Sequence, residues 1–151
     1  MYVETIDPIM EARVWQRVKE DAPRIDPRKG LQELITREWE IAGACLQLSR
    51  RLQGKQGAQL RQLYEKEQAH ISCLKGMYTL ITGQRPHVRG FSNAAGFPET
   101  ELRRCYGKQM QNLAEYERRS SDSEYGHIFK SLADQERQHC HLLLEILGDL
   151  K

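Results

Sequence analysis

The chain has 151 residues, long enough for one domain with a substantial core. Charged residues make up 29%, but Lys+Arg (23) nearly balances Asp+Glu (21) and the net charge of +2 forms no basic block, which argues against a nucleic-acid partner. No apolar run approaches the ~18 residues of a membrane span, and the N-terminus lacks the apolar stretch of a signal peptide, so a cytoplasmic location without membrane contact is expected.

In chain order, Asp7-Pro8 reads as a helix start, with Met10, Val14 and Val18 as a short apolar stripe beside Trp15. Pro23, Pro27 and Gly30 end it, so residues 1–30 are expected to be a short accessory helix and linker, and residues 31–151 a helical bundle. The first long helix is predicted from about Leu31 to Leu52, with Glu38 the one charge on its apolar stripe and Glu40 facing solvent. Gly54-Lys55-Gln56-Gly57 reads as a tight turn. A second helix follows from about Ala58 to Thr82, capped by Gly83, with Glu67 and His70 on its stripe. Residues 84–98 read as a loop whose reach of ~45 Å exceeds the ~37 Å of a 25-residue helix. Such a loop is able to cross the bundle end to end. The third helix is predicted over about 99–121, with stripe Leu102, Tyr106, Gln109, Leu113, Tyr116, and the fourth over about 123–150, with Glu136 and His139 inward. The expected architecture is all-α: two hairpins joined by one long crossover.

One motif occurs twice. Glu67-x-x-His70 and Glu136-x-x-His139 lie 69 residues apart, and Leu63/Leu132 and Leu74/Leu143 repeat at the same offset. Residues i and i+3 share a helix face, so each pair aims a carboxylate and an imidazole at one spot. Paired helices carrying such motifs hold metal ions in bundle cores. Three inward carboxylates are costly to bury without a cation.

The stretches LITREWEIAGACLQLSRRL (34–52), LRQLYEKEQAHISCLKGMYTLITG (60–83) and YGHIFKSLADQERQHCHLLLEILG (125–148) carry a resemblance to ferritin-like, rubrerythrin-type proteins over about residues 31–150. The resemblance implies a ferritin-like four-helix bundle with a non-haem di-iron centre, manganese or zinc being other candidate ions. The implied chemistry is peroxide or O₂ reduction coupled to Fe(II) oxidation. It also implies ligand roles for Glu38, Glu67, His70, Glu136 and His139.

The third helix departs from that pattern. Its stripe offers Gln109 where a carboxylate is usual; Glu115 lies on another face, and Glu117 is eight residues along, ~12 Å off level. Gln109 is therefore the expected sixth ligand, uncharged and a poor bridge. A degenerate site, with one metal or none and a role in storage, sensing or partner binding, is the alternative this substitution raises.

Cys45, Cys73, Cys105 and Cys140 form no Cys-x-x-Cys, which excludes a rubredoxin-like or zinc-ribbon site. They read as small core residues in a reducing compartment, and any reductant is expected to be an external electron-donor protein. Tyr64 and Tyr106 are read as core packing, His87, His127 and His141 as lying off the site, and Trp39 as a packing edge. Val14, Trp15 and Leu46 suggest a homodimer surface.

Overall fold

The computed structural model of the chain describes residues 27–91 and 93–150, together with Ile9. The expected accessory helix, with Val14 and Trp15, lies outside the described residues. Four helices follow: α1 (Pro27–Arg51), α2 (Lys55–Thr82), α3 (Pro98–Arg119) and α4 (Gly126–Asp149). Among the described residues no helix is long and apolar enough to cross a membrane.

Each helix boundary has a local cause. Pro27 opens α1 because proline lacks only an N–H that the first turn leaves unpaired anyway. The expected break at Gly30 does not occur: Gly30 lies inside α1, where the Arg119 guanidinium occupies the space a Cβ would need. Gly54 supplies the positive φ (74°) of the α1–α2 turn, and α2 starts directly after it, earlier than the predicted Gly54–Gly57 turn allows. Gly83 ends α2 in the left-handed conformation with its N–H on the Thr79 carbonyl, the expected cap. Pro98 begins α3, with Glu99 and Glu101 in the first turn where the helix dipole favours anions.

The pairs in contact are α1 with α2, α3 with α4, α1 with α3, and α2 with α4, so the four helices form a closed square. The crossover decides their directions. Gln32, near the start of α1, bonds the backbone of His87, whereas Arg51, at its end, donates to the carbonyls of Ala94 (2.7 Å) and Gly96 (2.8 Å). Residues 87–96 therefore run along the whole of α1. Nine steps of extended chain cover ~30 Å, and the 19 residues from Gln32 to Arg51 rise ~28 Å. The strap is close to full extension. It delivers α3 to the end where α1 finishes, which makes every neighbouring pair antiparallel.

Phe91 anchors the strap by stacking on Trp39 with centroids 4.6 Å apart, and Lys75 Nζ sits over the Trp39 ring at 5.3 Å from its centroid. Trp39 is thus a packing edge, as expected. Leu46, expected on an outer face, is only 9% exposed within the single chain.

The core consists of two apolar clusters separated along the bundle axis. One gathers Leu31, Leu34, Ile35, Leu74, Met77, Leu113, Tyr116, Phe129 and Leu132; the other gathers Ile41, Cys45, Leu48, Leu60, Leu63, Leu102, Cys105, Leu143 and Ile146. Tyr64 and Tyr106 pack on the second cluster and serve the core, as expected. Between the two lies a layer that is polar on all four helices.

Two helix glycines give opposite predictions. A Cβ at Gly43 would come within 2.5 Å of Phe91 Cδ1 and 2.8 Å of Cγ, whereas one at Gly107 meets nothing. Gly107→Ala should stabilise the fold by about 0.5–1 kcal/mol. At Gly43 the same helix gain is outweighed by an overpacking cost of about 1–3 kcal/mol, so Gly43→Ala should lower the urea midpoint while Gly107→Ala raises it.

Candidate metal centre

The polar layer is built one residue or pair per helix. Glu38 falls between Ile35 and Ile41 on the buried stripe of α1. Glu67 and His70 fall between Leu63 and Leu74 on α2, Gln109 between Cys105 and Leu113 on α3, and Glu136 and His139 between Leu132 and Leu143 on α4. All six side chains are buried, none more than 3% exposed. The structure therefore brings together every residue singled out in the sequence.

Donor atoms of Glu67, His70, Glu136 and His139 all lie within 4.8 Å of one another, a grouping able to hold a metal ion. His139 Nδ1 is 2.9 Å from Glu67 Oε1 and 3.6 Å from Glu136 Oε2. His70 Nδ1 is 3.1 Å from Glu136 Oε2 and 3.9 Å from Glu38 Oε1, yet it is not aligned for a hydrogen bond to either. His70 Nε2 faces Gln135 Oε1 at 2.8 Å. In the neutral ring that contact assigns the proton to Nε2 and leaves the Nδ1 lone pair pointing into the layer.

Three supporting residues were not anticipated as such. Asn112 Nδ2 and the Tyr116 hydroxyl each donate to Glu38 Oε1 at 2.9 Å, and Arg37 Nε donates to Asn112 Oδ1 at 2.5 Å. Asn112 follows Gln109 by three residues and Tyr116 by seven, so both share its face; a buried polar residue one turn from a candidate ligand was the available signal. Tyr116, on the expected stripe of the third helix, packs its ring in the core while its hydroxyl reaches the layer. On α3, Gln109 Nε2 donates to Glu67 Oε1 at 2.9 Å.

Other charges stay outside, as expected. Glu115 pairs with Arg118 and Arg119, and Glu117 with Arg137. Glu40 is half-buried rather than fully in solvent, because Lys108 of α3 reaches it at 2.7 Å. His87, His127 and His141 are exposed.

The layer shares few protons among many acceptors, and its ionisation shows it. Burial opposes ionisation of Glu38, but the neighbouring Glu67 and His70 and the hydrogen bond from Asn112 outweigh that and hold its carboxyl well below the usual range. Burial and then the charges of Glu38 and Glu136 push Glu67 well above it. Burial and Glu38 raise Glu136 to about 8, against a smaller opposing effect of His70. Burial disfavours charge on His70, yet Glu136 and Glu38 raise it to about 10. Burial, then the positive His70, lowers His139 to about 4. Near neutrality the metal-free layer thus carries an anionic Glu38, a cationic His70 and neutral partners.

Comparison with protein-family models, with curated proteins and with solved structures finds no match to this chain. The function has to be read from the site itself.

The raised groups set the pH dependence of the metal-free protein. Glu67, Glu136 and His70 bind protons in the folded state above the pH at which the unfolded chain releases them, so their stabilising effect fades as pH rises toward about 8 and beyond. His139 acts oppositely, but only between its lowered value of about 4 and its ordinary 6.5. Urea denaturation in the presence of a chelator should therefore show stability falling from pH 6 to pH 8, by on the order of 1 kcal/mol or more. A flat or rising profile over that range contradicts the assigned ionisation.

Proposed function

We propose that the chain is a ferritin-like, rubrerythrin-type protein whose polar layer holds a dinuclear iron centre and reduces peroxide or O₂ with oxidation of Fe(II). One observation carries the reading. Six of the buried side-chain atoms that lack a hydrogen-bond partner sit in this single layer: Glu38 Oε2, Glu67 Oε2, His70 Nδ1, Gln109 Oε1, and both carboxylate oxygens of Glu136. Buried polar atoms left without partners are costly. Here they converge from all four helices, and a divalent cation satisfies them together. The up-down-down-up order with one long strap supports the ferritin-like assignment.

The donor set fits iron or manganese, with carboxylate oxygens and imidazole nitrogens and no thiolate among them. Glu136 lies near both imidazoles and Glu67 near His139, and both would bridge or chelate; His70 and His139 would each cap one ion through Nδ1; Glu38, held by Asn112 and Tyr116, would be a terminal ligand. When bound, the metal pair supplies electrons and Lewis acidity for splitting the O–O bond. The protein's part is to desolvate the layer, fix the ligand rotamers and release protons. Glu67, Glu136 and His70 give up theirs on loading, so binding should free roughly three protons and weaken as pH falls.

Gln109 favours a second reading. Three carboxylates offset three of the four positive charges of two divalent ions, so the second ion binds more weakly. At the limit the site holds one ion, and the protein stores or senses metal without turnover. An external electron-donor protein, a homodimeric assembly and a cytoplasmic setting that keeps the cysteines reduced are proposed alongside the main reading.

Anaerobic Fe(II) titration decides between them. The proposal predicts about two ions per chain, proton release on loading, and peroxide consumption that Glu136→Ala abolishes; one ion without consumption supports the second reading, and none rejects both. Gln109→Glu should tighten the weaker ion by on the order of tenfold, about 1.4 kcal/mol.

A further inference from the structure

The first stretch of the strap does not close down on α1. Gln32 clamps the His87 peptide from both sides: its amide donates to the His87 carbonyl at 2.8 Å and accepts the His87 N–H at 3.1 Å. The next anchor is Phe91, stacked on Trp39. Between these two points the chain from Val88 to Gly90 roofs a cleft of about 550 Å³, with Ile35, Thr36, Trp39 and Glu40 of α1 as its floor. That volume lies in the range of small-molecule pockets, roughly 300–1,000 Å³. Thr36, His87, Arg89 and Gly90 are exposed, so the cleft opens to solvent. A Cβ built on Gly90 meets no atom within 4 Å, so the roof has open space around it.

The lining selects a class of guest. Ile35 and Val88 make an apolar wall. The polar groups that remain free are donors. The Trp39 indole N–H is buried without a hydrogen-bond partner. The Thr36 hydroxyl is already spent on the Gln32 carbonyl at 2.9 Å. Glu40, the one acid of the lining, is taken by Lys108 at 2.7 Å. Arg89, exposed at the rim, pairs with no carboxylate among the described residues. Lys75 adds a second cation beside Trp39. Unpaired donors with excess positive charge call for an acceptor-rich anion, and the apolar wall calls for more than a bare ion.

We propose that the cleft between α1 and the strap is a binding site for a small organic anion, whose carboxylate, sulfonate or phosphate meets Arg89 while its apolar body lies against Ile35 and Val88. None of the six residues of the polar layer lines this cleft. The site therefore stands whether or not the layer holds metal or reduces peroxide. The strap serves two purposes on this view: it sets the direction of α3, and it roofs a pocket on the outer side of α1.

The test titrates the full chain with 1-anilinonaphthalene-8-sulfonate, a probe that joins an aromatic body to one anionic group, and reads dye fluorescence. Expected is saturable binding of one dye per chain. Arg89→Gln should weaken it by about tenfold, the size expected for a lost charge-assisted hydrogen bond. Thr36→Phe fills the cleft from its floor and should abolish binding, and both variants should keep the parent's unfolding midpoint. N-phenyl-1-naphthylamine, the same body without the sulfonate, should bind about tenfold more weakly than the sulfonate. Displacement by 1-naphthoate or by 1-naphthyl phosphate shows whether carboxylate or phosphate is the better fit; inorganic phosphate should displace nothing. Absence of saturable binding, or binding unchanged in both variants, overturns the site. Equal affinity for the neutral analogue overturns its choice of an anion, and displacement by inorganic phosphate overturns the need for an apolar body.

Discussion

Three carboxylates buried at one height inside an apolar bundle are the constraint on which everything else in this molecule depends. Glu38, Glu67 and Glu136 are each 0% exposed, and among the described residues no lysine or arginine pairs with them. Like charges packed this closely cannot all ionise in a medium of low polarity. In the absence of metal the layer meets the constraint with protons, by charging His70 and keeping Glu67 and Glu136 neutral. That solution leaves acceptor atoms unpaired. Cations in place of protons satisfy the same groups more fully, which is why the arrangement reads as a site and not as a fault in the core.

The fold exists around that layer. Two apolar clusters close it off above and below and supply the burial that holds the bundle together. The strap along α1 makes α3 antiparallel to α1 and parallel to α2, so that the two Glu-x-x-His helices, α2 and α4, become neighbours facing each other. A short α2–α3 connection would reverse α3 and α4 and point their side chains at other levels. The near-extended strap is therefore part of the site's construction even though none of its residues enters the layer. On the other side of the square, Asn112, Tyr116 and Arg37 orient Glu38, the one carboxylate whose helix carries no histidine partner.

Much of this was legible in the sequence, for reasons that can be named. A charge on an otherwise apolar helical stripe is conspicuous, and Glu38, Glu67 and Glu136 each stand so. The 69-residue spacing links the two motifs within the sequence itself. The length of the 84–98 segment announced a crossover. What stayed hidden was tertiary. Gly30 reads as a helix breaker, and only the packing of Arg119 against it explains its place inside α1. Leu46 reads as an outward residue, yet the folded chain leaves it only 9% exposed. Tyr116 reads as one more aromatic of the core, and the direction of its hydroxyl depends on where Glu38 lies.

The central claim is that the layer is a cation site at mid-height of the bundle. Anomalous diffraction from crystals grown with Fe(II) and measured across the iron edge tests it most directly. The account predicts anomalous density between Glu38, Glu67, His70, Glu136 and His139, with both Nδ1 atoms turned toward it. Crystals with no anomalous peak in the layer, the carboxylates still holding protons and hydrogen-bonded to His70 and His139, would contradict it.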